Sequence, residues 1–285
     1  MFKAQSAMEY LITYGWAILI IIVALSALYA LGVFNSDTYA GKAATGSCQV
    51  YRPYGPGTIQ LVNLQGVCSS IEPKEVAVFN GAGQITVPSQ SLLQANAITV
   101  SAWVKITTST QYMIFDRGLT FTSGSFYMWG SPSDPEFTDC GISGCYNTLF
   151  NTNALQTGTW YNLVSTFNPS TGITTSYLNG VQVATSSSGL IPSTSNIVIG
   201  SYLGGSGYAL NGLLSNIQLY NTSLSGNDVK ALYVEGIGGP PTQLQNLVGW
   251  WPLNGDTKDY SGNGNNGNSI GVYFESAWTS GYSIP

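Results

Sequence analysis

The sequence predicts a mainly β protein: an N-terminal apolar α-helix followed by a jelly-roll β-sandwich that a C-terminal strand completes. Three observations carry this. An uncharged, apolar run fills residues 11–34. From about residue 76 onward, short period-2 runs recur between clusters of Gly, Asn, Ser and Pro. Only 7% of residues are charged, against a usual share of about 25%, so Ser, Thr, Asn, Gln and 34 Gly supply the polar surface, as in a turn-rich β fold. An apolar share of 44% argues against disorder.

The first element is the apolar run. Its 24 residues would make a helix about 36 Å long, enough to cross a hydrocarbon core. Thr13 and Ser26, its polar interruptions, can bond back to helix carbonyls. Lys3 precedes it, so the positive-inside rule keeps the N-terminus cytoplasmic and places the chain beyond about Asp37 outside. The run is too long for an ordinary secretory signal, whose cleavage site would follow it.

The stretch Lys3-Ala4-Gln5-Ser6-Ala7-Met8-Glu9-Tyr10-Leu11 resembles the class III signal peptide of archaeal type IV pilin-like proteins. The resemblance implies a leader of residues 1–4, cut between Ala4 and Gln5 by a prepilin-type signal peptidase, and a retained helix over 5–36. Glu9 would be the fifth residue of the processed chain. A carboxylate there is costly to bury alone, and the helix dipole and a neighbour's α-amino group would offset it, setting subunit register. A plain signal anchor is the alternative.

Residues 37–75 read as a linker followed by a small β element at 48–72. Four cysteines form two near pairs, Cys48 with Cys68 and Cys140 with Cys145. On an exported chain they suggest disulfides, with unlinked buried thiols as the alternative. A Cys48–Cys68 bridge would contribute roughly 3 kcal/mol in the chain-entropy model.

Residues 76–285 carry the sandwich. Its strands are expected at ITVSAWVKI (98–106), YMIFD (112–116), SFYMW (125–129), WYNLVSTF (160–167), NIVIG (196–200) and LLSNIQLY (213–220). Asn179-Gly180 between two alternating runs predicts a type I′ hairpin. One helix follows Ser225: Asp228 completes a capping-box-like start, Val229, Leu232 and Tyr233 form an apolar stripe, and Gly236 ends it.

Several pieces, in order, resemble the laminin G-like and pentraxin-like group of the concanavalin A-like lectin/glucanase fold. They are Phe79-Asn80-Gly81, the run 98–105, Gly158-Thr159-Trp160 with the strand after it, Tyr177-Leu178-Asn179-Gly180, Ile199-Gly200, and 213–220 with its helix. The likeness covers about residues 76–236. LVGWWPLNGDTKDYSGNGNNG (247–267) looks like the opening strand and loop of such a domain, yet it follows the closing helix. A circularly permuted jelly roll is therefore expected, its last strand docking in its own sandwich or in a neighbour's. Adjacent Trp250 and Trp251 must face opposite sides of a strand, one entering the core. The other packs elsewhere, which makes Trp250 a candidate ligand contact.

Chemistry is limited by what is missing. Without His there is no Ser-His-Asp triad, and no phosphate-cradling loop is present. The scattered eight basic residues and net charge of −5 give no nucleic-acid footprint. Glucanases of the resembling fold use two glutamates flanking an aspartate on one strand. The nearest cluster, Asp134, Glu136 and Asp139, lacks that spacing and contains Pro135, so it reads as an acidic surface loop and no enzymatic activity is expected. Asp256, Asp259, Asn263 and Asn265 could offer oxygens to Ca²⁺, or form Asx turns instead; otherwise no cofactor is expected. Asn221-Thr222-Ser223 is a glycosylation sequon.

The resemblances together imply a pilin-like structural subunit, self-associating through its helix. It would sit in the cytoplasmic membrane or in an extracellular filament, with a lectin-type head for glycans or other cell-surface ligands. The alternative is a monomeric, membrane-anchored lectin that does not polymerise.

Overall fold

A computed structural model describes residues 14–26, 49–51, 62–65, 73–89, 97–118, 124–131, 134–150, 155–191, 195–202 and 208–277. The chain divides into two compact units, residues 1–43 and 44–285.

In the first unit, residues 14–26 form helix α1, about 20 Å long at 1.5 Å per residue. The Ser26 hydroxyl donates to the Ile22 carbonyl at 2.7 Å, as a polar residue in an apolar helix must. Large apolar side chains are exposed all around it, among them Trp16, Leu19, Ile20 and Val23. Among the described residues no helix is long and apolar enough to cross a membrane. The expected run over 11–34 continues past both described ends of α1, and Lys3, Ala4, Gln5 and Glu9 lie outside the described residues.

The second unit begins with β1 (Gln49–Tyr51) and β2 (Val62–Gln65), an antiparallel pair. The Cys48 and Cys68 pairing falls outside the described residues. The sandwich follows with β3 (Glu75–Val87), β4 (Ile98–Ile106), β5 (Tyr112–Arg117), β6 (Phe126–Ser131), β7 (Asp134–Gly141), β8 (Gly144–Leu149), β9 (Trp160–Asn168), β10 (Ile173–Leu178), β11 (Val181–Ser187), β12 (Ile197–Ile199) and β13 (Asn211–Tyr220). Helix α2 (Gly226–Glu235), β14 (Leu247–Trp251) and β15 (Asn268–Ser276) complete it.

Hydrogen bonding runs through the order β11-β10-β9-β4-β13-β3-β12-β5-β6-β7-β8. The ribbon folds over on itself, and its two ends meet: Gly141 of β7 bridges Leu190, just beyond β11. Between the layers lies one main core, including Phe79, Val104, Phe115, Phe137, Leu163 and Trp251. Strand β3 holds the layers together because its two halves have different partners on one edge. Ala77–Asn80 pair with β13 and Ile85–Val87 with β12, while β15 follows the other edge. The approach of β15 is close at Gly83, where a Cβ would lie 2.6 Å from the Gly271 carbonyl oxygen.

The β10–β11 turn has positive φ at both Asn179 (50°) and Gly180 (75°), as a type I′ hairpin requires. Ser225 caps α2: its hydroxyl accepts from the Asp228 amide, and the Asp228 carboxylate accepts from the Ser225 amide. Val229 and Leu232 are buried, Tyr233 stacks on Trp103 at 5.8 Å, and Gly236 (φ 82°) ends the helix.

The C-terminal segment docks in its own sandwich, β14 on β13 and β15 on β3. Trp250 and Trp251 do face opposite sides. Trp251 fills the main core and donates from Nε1 to the Asn265 carbonyl at 2.8 Å. Trp250 packs beneath α2 with Tyr220, Val229 and Leu232.

One expectation is corrected. Asp134, Glu136 and Asp139 belong to strand β7, not to a surface loop. Pro135 is the second residue of the strand, close enough to its start for the missing N–H to be tolerated. Glu136 and Asp139 are buried. Local composition signalled a turn, but pairing with β6 on one side and β8 on the other overrode it.

Candidate functional site

Strands β5 to β8 form a meander whose two faces differ sharply. The registers Asp116↔Tyr127↔Thr138↔Asn147 and Met113↔Trp129↔Glu136↔Leu149 put these side chains on one face, because cross-strand partners point the same way. The opposite face carries Phe115, Phe126, Met128 and Phe137 into the core. Arg117 also turns inward, its guanidinium 5.1 Å from the centroid of the Phe126 ring, and burial lowers its pKa to about 10.

The outward face is built from aromatic rings around a polar chain. Trp129 meets Tyr127 edge-on at 6.3 Å and Tyr208 at 5.8 Å, and Tyr208 meets Tyr202 at 6.0 Å. Trp129, Tyr202 and Tyr208 are half-buried, so each ring keeps some surface free. The Tyr208 segment is fixed to β5 by the Met113 amide, which donates to the Tyr208 carbonyl at 2.7 Å.

Under the rings, Trp129 Nε1 donates to Thr138 Oγ1 at 2.9 Å. The Thr138 hydroxyl donates to Asn147 Oδ1 at 3.0 Å, and Asn147 Nδ2 donates to Glu136 Oε1 at 3.0 Å. Asn147 is exposed, whereas Glu136 is 6% exposed and Asp116 is 0% exposed. Burial, reinforced by the charge of Asp134, pushes the Glu136 carboxyl above the usual carboxylate range despite the Asn147 hydrogen bond. The Cys140–Cys145 disulfide spans β7 and β8 on this same face, with Cα atoms 4.0 Å apart, and Cys140 packs on Met113 and Tyr127. A rigid, half-open surface results, able to stack an apolar ring face and to accept hydrogen bonds from hydroxyl groups.

The profile of the concanavalin A-like lectin/glucanases superfamily matches residues 79–230, just over half of the chain. The chain belongs to this superfamily. A putative carbohydrate binding protein from Bacteroides ovatus has a similar structure, with a TM-score of 0.57 and 16% identity. The likeness covers 76% of this chain but 66% of that one, just under two thirds of its length. A heptameric SAP-like pentraxin from Limulus polyphemus aligns with a TM-score of 0.54 and 17% identity over 75% of this chain and 99% of its own. At such identities the likeness is one of fold. No curated protein matches the chain.

A superfamily that holds both lectins and glucanases makes the carboxylates of β7 worth placing one by one. Asp134 and Glu136, two apart, share the outward face. The next outward position is Thr138, and Asp139 points inward. Asp139 serves the core instead, accepting from Thr174 Oγ1 at 2.7 Å and from the Ser188 hydroxyl.

Other residues singled out in the sequence are dispersed. Trp250 is 5% exposed and donates from Nε1 to Asn216 Oδ1 at 2.8 Å, so its ring offers no ligand surface. The loop after β14 is closed by its own amides. The Asp259 carboxylate accepts from the backbone N–H groups of Trp250, Ser261 and Asn265 at 2.8–2.9 Å. Asp256 faces Lys258 and the Tyr260 hydroxyl, and Asn263 Nδ2 donates to the Leu247 and Val248 carbonyls. Asn265 Oδ1 is the one buried side-chain oxygen of the set without a hydrogen-bond partner. These four residues brace the loop, and among the described residues no group of three or more His, Cys, Asp or Glu could hold a metal. Asn221 is exposed at the end of β13, with its Oδ1 accepting from Asn246.

Trp129, Asn147, Tyr202 and Tyr208 were not singled out in the sequence. The only signal was alternation: SFYMW and GCYNTL each carry outward residues at every second position, which identify a shared face only once the register is known.

Proposed function

We propose that this chain is a pilin-like surface subunit whose sandwich is a glycan-binding, adhesive head, presented on the outward face of β5–β8. The observation that carries the proposal is the aromatic and hydrogen-bonded cluster of Trp129, Tyr208, Glu136 and Asn147. Half-open rings beside a carboxylate and an amide suit a sugar, which has an apolar C–H face and hydroxyls at its rim. Superfamily membership is consistent with this.

The apolar surface of α1 supports the remainder. A helix with exposed Trp, Leu, Ile and Val on all sides is unstable alone in water and must be covered by lipid or by other helices. In this proposal a peptidase cuts between Ala4 and Gln5, Glu9 sets register between packed copies, and the head lies outside the cell. Asn221, exposed in its sequon, is available for a glycan. The head is a binder and not a hydrolase: the glutamate–aspartate–glutamate spacing of the resembling glucanases is missing from β7, where Asp134 and Glu136 are followed on the same face by Thr138. The C-terminal strand sits in a permuted slot of the same sandwich.

A glycan-array screen of the full chain beside its Trp129→Ala variant tests the head. Binding weakened by roughly ten-fold or more in the variant is expected, from the loss of one aromatic stacking contact of about 1.5 kcal/mol. Equal binding by both proteins would overturn the proposed site.

A further inference from the structure

The glycan-binding face carries one sign of charge. Residues 112–149, which make β5 to β8, contain four acidic residues and one base. The base, Arg117, turns into the core over Phe126, and Asp139 turns inward as well. Asp134 and Glu136 share the outward face, on which strands β5 to β8 place no Lys or Arg. Part of the donor capacity is committed: Trp129 Nε1 gives its hydrogen to Thr138, Thr138 gives its own to Asn147, and Asn147 gives one amide hydrogen to Glu136. The hydrogen-bonding capacity left over on the carboxylates is accepting. Aromatic walls of low polarity strengthen the resulting field.

Resting on the glycan-binding reading above, we infer that this face is selective for uncharged glycans and rejects those carrying carboxylate or sulfate. A neutral sugar donates its hydroxyls to Glu136 and its neighbours and lays a C–H face on Trp129. A uronate, sialate or sulfate group brings a second anion to a face whose strands supply no cation to meet it.

The experiment compares neutral oligosaccharides with partners oxidised to the uronate at C6 alone, titrated against the full chain in a detergent without sugar headgroups. Gluco-, galacto- and manno-terminated trisaccharides serve as probes. The expected result is a preference for the neutral member of roughly ten-fold or more in the wild type, shrinking to roughly three-fold or less in the isosteric Glu136→Gln variant. Equal or tighter binding of the uronate, abolished by Trp129→Ala, would overturn the charge selectivity while leaving the glycan site standing. No binding of any probe, or binding indifferent to Trp129→Ala, would overturn the site and the selectivity together.

Discussion

Asp139 shows what a single buried carboxyl does in this sandwich. It is 0% exposed and joins the two layers, accepting from Thr174 of β10 and from Ser188 beyond β11. Burial raises its pKa more than these two hydrogen bonds lower it. A folded-state pKa above the unfolded value of about 3.9 means the fold favours the protonated form, so its contribution to stability is fullest below the unfolded pKa and is lost as pH rises through the folded one. The urea midpoint of the wild type is therefore expected to fall across that window, and that of Asp139→Asn to stay flatter. Parallel curves would contradict this. Trp251, wholly buried, is the residue whose loss should hurt most: Trp251→Ala is expected to cost about 4 kcal/mol, measured by urea unfolding. Adjacent tryptophans could be read from sequence as facing opposite ways. That α2 covers Trp250 could not, because the cover comes from residues 229 and 232, which are local to nothing in the LVGWW stretch.

At the scale of elements, what was legible followed local rules. Strand β4 runs over the same residues, 98–106, as its alternation predicts; Asn179-Gly180 makes its hairpin; Ser225 and Asp228 cap α2. Strands β7 and β8 were hidden because Pro135, Gly144 and three acids resemble a turn, and only pairing across the sheet makes them strands. The site was hidden for the same reason: Trp129, Glu136, Asn147 and Tyr208 lie on three strands and a distant segment, with no motif joining them. Two predictions belong here. Replacing Cys140 and Cys145 by Ser should lower stability by about 2 kcal/mol in the chain-entropy model for so short a loop, and loosen glycan binding because the bridge holds Glu136 and Asn147 in register. Asp259→Ala removes the acceptor for three backbone amides and should cost about 3 kcal/mol by thermal unfolding, whereas added calcium or chelator should leave the wild-type Tm unchanged.

The whole molecule combines a compact β-sandwich with a helix whose apolar surface demands a covering. The sandwich is a superfamily member by sequence, and its C-terminal strands close it from within the same chain. Deleting residues 246–285 would strip β14 from β13 and β15 from β3, together with Trp251 from the core, and no cooperative unfolding transition is expected to remain. Mass spectrometry of the native protein should find an N-terminus at Gln5, and an unprocessed Met1 alone would contradict the pilin-like assignment. The most direct measurement is a crystal structure of the protein with a glycan selected from the array. The sugar is expected on the outward face of β5–β8, its ring against Trp129 and its hydroxyls within hydrogen-bonding distance of Glu136. A sugar held instead at the loop after β14, or on the opposite layer, would contradict it.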